Sequence, residues 1–85
     1  MRIIFTKKAL KSYQKLPLSV KKKADKQFRF IVSNVHHPSL HMKKMEGEER
    51  WEARIDRLYR FTFEKKEGAF ILRTVGSHDE GLGKR

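Results

Sequence analysis

Hydrophobic and polar positions along this chain follow two different periods. Val20, Ala24, Phe28 and Ile31 recur at spacings of four, four and three, which is one stripe of an α-helix. Lys21, Lys22, Lys23, Lys26 and Arg29 fall mostly off that stripe. This helix is expected to start at a Ser19 cap and reach about Ser33, with Asn34 as its stop. Upstream, Leu10 and Tyr13 mark the inner face of a shorter helix over residues 7–15, capped by Thr6 and ended by Pro17. Before it, RIIF alternates weakly and is rich in β-branched and aromatic residues, a strand signal. The second half switches to a period of two. Trp51, Ala53 and Ile55 share one face of a strand over 51–55, and Glu52 and Arg54 share the other. Over 58–64, Tyr59, Phe61 and Phe63 alternate with Leu58, Arg60 and Thr62. The run AFILRTV over 69–75 is apolar on both faces, as expected of a central strand.

Connections complete the pattern. Residues 36–40 contain Pro38 and read as a loop, 41–45 as a short strand, and Glu46-Gly47-Glu48-Glu49 as an acidic turn. Asp56-Arg57 and residues 65–68 are short enough for hairpin turns. The tail from Glu80 to Arg85 holds two glycines and is expected to fray. The order strand, helix, helix, strands predicts an α+β fold. Two N-terminal helices pack on one face of a small, twisted, mostly antiparallel sheet, and the other face stays open to carry function. Eighty-five residues make a single domain, 1–85.

Composition changes this picture mainly through charge. The net charge is +11. Residues 1–45 hold twelve Lys/Arg and one acid, Asp25, whereas residues 46–85 hold nine of each sign. A basic surface of this kind raises the local concentration of a polyanion, so nucleic acid is the expected partner. A membrane surface fits less well, because no strongly apolar helix face backs the lysines. The absence of cysteine excludes a disulfide scaffold and a cysteine-rich zinc site. His36, His37 and His41 match no zinc-binding spacing. No metal and no cofactor are expected. No apolar run approaches a membrane span and the N-terminus has no secretory pattern, so the expected location is cytoplasmic.

The candidate chemistry lies between Trp51 and Asp79. Cutting RNA without a metal needs a base for the 2′-hydroxyl proton, cations for the phosphorane, and an acid for the 5′-oxygen. Arg54 and Arg60 sit on the polar faces of adjacent expected strands, and a guanidinium offers phosphate a planar fork. Each arginine has a second reading, as the partner of a carboxylate across the sheet: Glu52, Asp56 or Glu64. His78 follows the last strand, and an ordinary imidazole pKa near ~6.5 suits proton transfer. Its other reading is an exposed turn histidine. Glu52 is either a base or a partner for Arg54. Lys43 and Lys44 are candidates for backbone phosphates, with an edge strand guarded by lysine as the alternative. Arg73 either snorkels or reaches the same substrate. Trp51, Tyr59 and the phenylalanines are assigned to the core.

HPSLHMKKMEG leading to WEARIDRLYRFTF, and then ILRTVGSHD, resemble the RelE/ParE superfamily of bacterial toxins over nearly the whole length. The resemblance implies a small α/β fold with two N-terminal helices on a twisted sheet. Through its RelE, YoeB and YafQ branch it implies a ribosome-dependent endoribonuclease that cleaves mRNA in the A site and inhibits translation. The implied reaction is metal-independent 2′-OH transesterification. The implied partners are a cognate antitoxin, the ribosome and mRNA, with the chain a monomer or part of a toxin–antitoxin hetero-oligomer. Arg54, Arg60 and His78 fall at the family's functional positions, and Glu52 stands where RelE itself has lysine. The C-terminal aromatic of some members has no clear equivalent, Leu82 lying nearest. Two alternatives stay open: a ParE-like DNA gyrase inhibitor without nuclease activity, and a catalytically weakened RNA-binding relative.

Overall fold

The computed structural model describes residues 2–45 and 49–77. His78, the segment 46–48 and the tail, including Leu82, lie outside the described residues. The elements run β1 (Arg2–Phe5), α1 (Lys7–Gln14), α2 (Leu18–Ser33), a 3-10 turn (Pro38–Leu40), β2 (Lys43–Lys44), β3 (Trp51–Arg54), β4 (Tyr59–Lys66) and β5 (Ala69–Ser77). They form the expected α+β architecture, with both helices packed against one five-stranded sheet of order β1-β5-β4-β3-β2. From β2 to β5 the neighbours are antiparallel, and β1 joins β5 in parallel. The middle position therefore belongs to β4. The doubly apolar β5 is an interior strand beside it, closed on its other side by β1.

Thr6 begins α1 as the sequence suggests. Its Oγ1 accepts the Ala9 N–H at 3.1 Å and donates to the Leu72 carbonyl at 2.9 Å, so one side chain caps the helix and pins it to β5. Ser19 does not cap α2. The helix opens two residues earlier, at Leu18 with Pro17 as its cap, and the Pro17 carbonyl accepts the first N–H groups, from Val20 and Lys21, at 2.9 Å. Proline thus ends one helix and starts the next, because its fixed φ suits a helix entrance and its missing N–H costs nothing there. The Tyr13 hydroxyl donates to Asp25 at 2.6 Å and ties the two helices together. That hydrogen bond, helped by partial burial and the carboxylate's charge, pushes the Tyr13 phenol up to about 12.

The stripe on α2 meets the inner face of the sheet. Phe28 stands edge-on to Phe61 at 5.0 Å and to Phe5 at 5.7 Å, and Phe63 stands edge-on to Phe70 at 5.4 Å. Phe61, Phe63, Leu72 and Leu40 are fully buried. Burying one such side chain contributes roughly 1.5–3 kcal/mol, and edge-on aromatic pairs add about 0.5–1.5. Trp51 and Tyr59 pack against this core while staying partly exposed.

The strand ends shift for physical reasons. β4 runs on to Lys66, and the turn shrinks to Glu67 and Gly68, both left-handed at φ 40° and 81°. Left-handed values at both positions match the twist of a two-residue hairpin. Between Thr62 and Phe63 the β4–β5 register slips, so Thr62 pairs with Thr74 but Phe63 with Leu72. Arg73 is the extra residue of this bulge. It lets Leu72 and Val75 both face the core although they are three apart.

Candidate functional site

The open face of the sheet is built by the same alternation that fills the core. Ala53 and Phe61 pair and point inward, so their neighbours point outward: Glu52 opposite Thr62, Arg54 opposite Arg60, and Lys43 opposite Glu52. Along β5, Thr74 and Gly76 continue this face, and Gly76 lies directly opposite Arg60. The Thr62 and Thr74 hydroxyls share a 2.6 Å hydrogen bond, and Thr62 is 1% exposed. A groove of about 480 Å³ runs over this face, lined by His41, Met42, Lys43, Glu52, Arg54 and Arg60. Four of the candidates drawn from the sequence, Lys43, Glu52, Arg54 and Arg60, meet there.

The two arginines are held differently. Arg60 Nη1 donates to the Asp56 carbonyl at 2.9 Å and to the Arg57 and Tyr59 carbonyls at 3.2 Å. Its guanidinium is thus held by neutral backbone oxygens rather than by a carboxylate. Arg54 Nε is shut off from solvent and has no hydrogen-bond partner among the described residues. The ion pairs described are Lys23 with Asp56 at 3.4 Å and Arg73 with Glu64 at 4.0 Å, and neither involves Arg54 or Arg60. Carboxylate pairing across the sheet, the alternative reading of both arginines, is absent among the described residues. Like charges directly opposite one another destabilise a sheet, and a buried donor without a partner carries a desolvation cost. An anion bound in the groove would offset the charge repulsion.

Asp56 shapes the turn below them. Its Oδ1 accepts the Leu58 and Tyr59 N–H groups at 2.9 and 3.0 Å, and its Oδ2 meets Lys23. Partial burial pushes this carboxyl up, but the two N–H groups and the lysine outweigh it and hold the pKa below the ordinary carboxylate value. Gln27 braces the site from behind. It is 4% exposed, and its Nε2 donates to the Ser39 carbonyl at 3.2 Å and the Arg54 carbonyl at 2.9 Å.

The remaining candidates lie elsewhere. Lys44 pairs with Trp51, which turns it away from the groove, and Arg73 is taken up by the bulge and Glu64. His41, read from the sequence as the first residue of a strand, instead closes the 3-10 turn with φ 46° and ψ 50° and lines the groove. Periodicity could not find it, because tertiary packing rather than strand alternation sets its place. His37 stacks on Phe30 at 3.8 Å and its Nδ1 accepts the Ser39 N–H. Among the described residues, no group of three or more His, Cys, Asp or Glu side chains is gathered to hold a metal ion. No described helix is long and apolar enough to cross a membrane.

The domain carries a basic groove on the open face of its five-stranded α+β sheet, with two arginines opposed across β3 and β4. Its fold is that of the RelE, YoeB and YafQ toxins of toxin–antitoxin systems. The YoeB/ParE toxin from Agrobacterium tumefaciens superposes with a TM-score of 0.78 at 16% identity, over 92% of this chain and 99% of that one. The YoeB–YefM complex from Staphylococcus aureus gives 0.76 at 17%, over 89% and 94%. The intact RelBE toxin–antitoxin complex of E. coli gives 0.72 at 18%, over 88% and 93%. At these identities the likeness is one of fold. No protein-family model matches the sequence. No curated protein matches it either.

Proposed function

We propose that this chain is the toxin of a toxin–antitoxin pair and acts as a ribosome-dependent endoribonuclease that cleaves mRNA in the A site. The observation that carries this reading is the Arg54–Arg60 pair. The two residues are directly opposite on neighbouring strands and line one groove, without carboxylate partners among the described residues. Preorganised cations of this kind act on charge that develops at phosphorus. In the proposed reaction the 2′-oxygen attacks the adjacent phosphorus and displaces the 5′-oxygen. A 2′,3′-cyclic phosphate and a 5′-hydroxyl result, and no metal ion takes part. Arg54 and Arg60 hold the phosphate, Lys43 supports the strand at the rim, and His78 protonates the leaving oxygen. Glu52 shares the groove and tempers its charge. Gly76 faces Arg60 two residues before His78, so the chain leaves the described part of β5 beside the arginine pair.

The fold likeness to RelBE and YoeB–YefM, both toxin–antitoxin complexes, supports an antitoxin as the protein partner. An acidic or amphipathic antitoxin segment matches the +11 charge.

Primer extension on a reporter mRNA after brief induction tests the reading, with wild type beside His78→Ala. Cuts inside translated codons that disappear in the variant are the expected result. Growth arrest with intact mRNA would replace it with gyrase inhibition.

A further inference from the structure

We propose that His41 is the general base of this reaction, the group that removes the 2′-hydroxyl proton. The inference rests on the ribonuclease reading above and adds a proton acceptor to it. His41 lines the arginine groove, and it also lines an adjoining hollow of about 360 Å³ between α2, the 3-10 turn and the β3–β4 turn. Arg54 is the other residue that lines both. In the groove His41 is faced by Lys43, Glu52, Arg54 and Arg60. From the hollow it is faced by Lys23 and Lys26 of α2 and by Asp56 and Arg57 of the turn. Six cations and two carboxylates make this a place where a phosphate chain passes directly by an imidazole.

The backbone gives a second indication. At φ 46° His41 occupies the left-handed region, where glycine is at ease and a side chain costs energy. A histidine held there by its surroundings is the kind of local strain that collects at functional sites. The surroundings are specific. The His41 N–H donates to the Pro38 carbonyl at 3.1 Å, and Gln27 links the same turn, through Ser39, to the backbone of Arg54. The spacing of His41 and Arg54 is thereby fixed from the helix side.

Topology supplies the third indication. In-line displacement at phosphorus places the attacking and leaving oxygens on opposite sides. The arginine pair sits on β3 and β4. His41 enters from the β2 side, whereas β5 borders the pair from the other. A base on the first side leaves the opposite side of the phosphorus open to the acid. His41 takes the 2′-hydroxyl proton on a neutral ring nitrogen, and the freed oxygen forms the new P–O bond. The P–O5′ bond breaks with its electron pair on the 5′-oxygen, which takes a proton from the acid. Nothing else is consumed.

Single-turnover cleavage of mRNA on programmed ribosomes, followed from acidic to alkaline pH, tests this with wild type, His41→Gly and His41→Asn. Both substitutes tolerate the left-handed backbone, so both are expected to fold, with His41→Gly melting no lower than wild type. The expected result is a rate loss of about 10²–10⁴. The acidic limb of the pH profile should vanish, and added free imidazole should restore part of the His41→Gly rate. Wild-type rates in both variants would overturn the proposal and leave the ribonuclease reading intact. A loss that imidazole does not rescue, with the acidic limb unchanged, would make His41 structural and also overturn it. Wild type that cuts nothing would overturn both.

Discussion

Arg54 and Arg60 differ in what the fold asks of them, and substitutions should separate the two. Arg60 Nη1 serves three carbonyls around the β3–β4 turn, so its removal deprives both the substrate and the backbone. Arg60→Ala is expected to lower cleavage by at least ~10², and to cost roughly 1–2 kcal/mol of stability in urea unfolding. Arg54 gives the fold little. Its Nε is buried without a hydrogen-bond partner among the described residues, and its backbone position lies directly opposite that of Arg60. Arg54→Met keeps the aliphatic stem and removes both penalties. It should match or exceed wild type in the urea midpoint while losing cleavage by about 10²–10³. A variant that unfolds more easily than wild type would show that Arg54 is a structural residue and would weaken its place in the site.

At the scale of the element, the β3–β4 turn is the part most open to a test by pH. Asp56 closes it through the Leu58 and Tyr59 N–H groups and reaches back to Lys23 on α2. Because its folded pKa lies below the ordinary 3.8, the stabilisation is complete above that value. It is lost as pH falls through the lower folded value. Asp56→Ala should therefore be less stable than wild type at neutral pH by about 1–2 kcal/mol, with the gap closing in strong acid. An equal gap at both pH values would trace the effect to packing. This turn also marks what the sequence disclosed. Strict alternation over WEARI and YRFTF was enough to put Arg54 and Arg60 on one open face, and the stripe from Val20 to Ile31 was enough to predict α2. Both are local patterns, read directly from side-chain period. The parallel closure of β1 on β5 joins segments more than sixty residues apart and leaves no local mark. The bulge at Arg73 is equally silent, since one inserted residue in a strand with apolar residues on both faces changes no pattern. His41 stayed hidden because packing through Gln27 and Ser39, rather than spacing, brings it to the groove. Ser19 misled because a good capping residue two positions after proline loses to the proline itself.

Across the whole molecule, charge is arranged against stability. All the excess positive charge lies in residues 1–45. Helix α2 carries Lys21, Lys22 and Lys23 near its N-terminus and has no acid in its first turn. Cations at that end oppose the helix dipole and repel one another, a cost that a polyanion laid along the helix removes. Two of the three lysines are engaged, Lys21 over the Tyr13 ring at 5.9 Å and Lys23 with Asp56. Lys22 is exposed and is the cleanest probe. Lys22→Glu reverses one unfavourable charge at the helix start and should raise the melting temperature by roughly 2–5 °C at low salt. The same change should weaken binding to single-stranded RNA, and the slope of log affinity against log salt should fall by up to ~0.7. Opposite signs in the two measurements are what a surface kept basic for its partner requires. Were the variant more stable and its RNA affinity unchanged at every salt concentration, Lys22 would lie outside the path of the nucleic acid. Binding would then rest on the sheet groove and the hollow beside it.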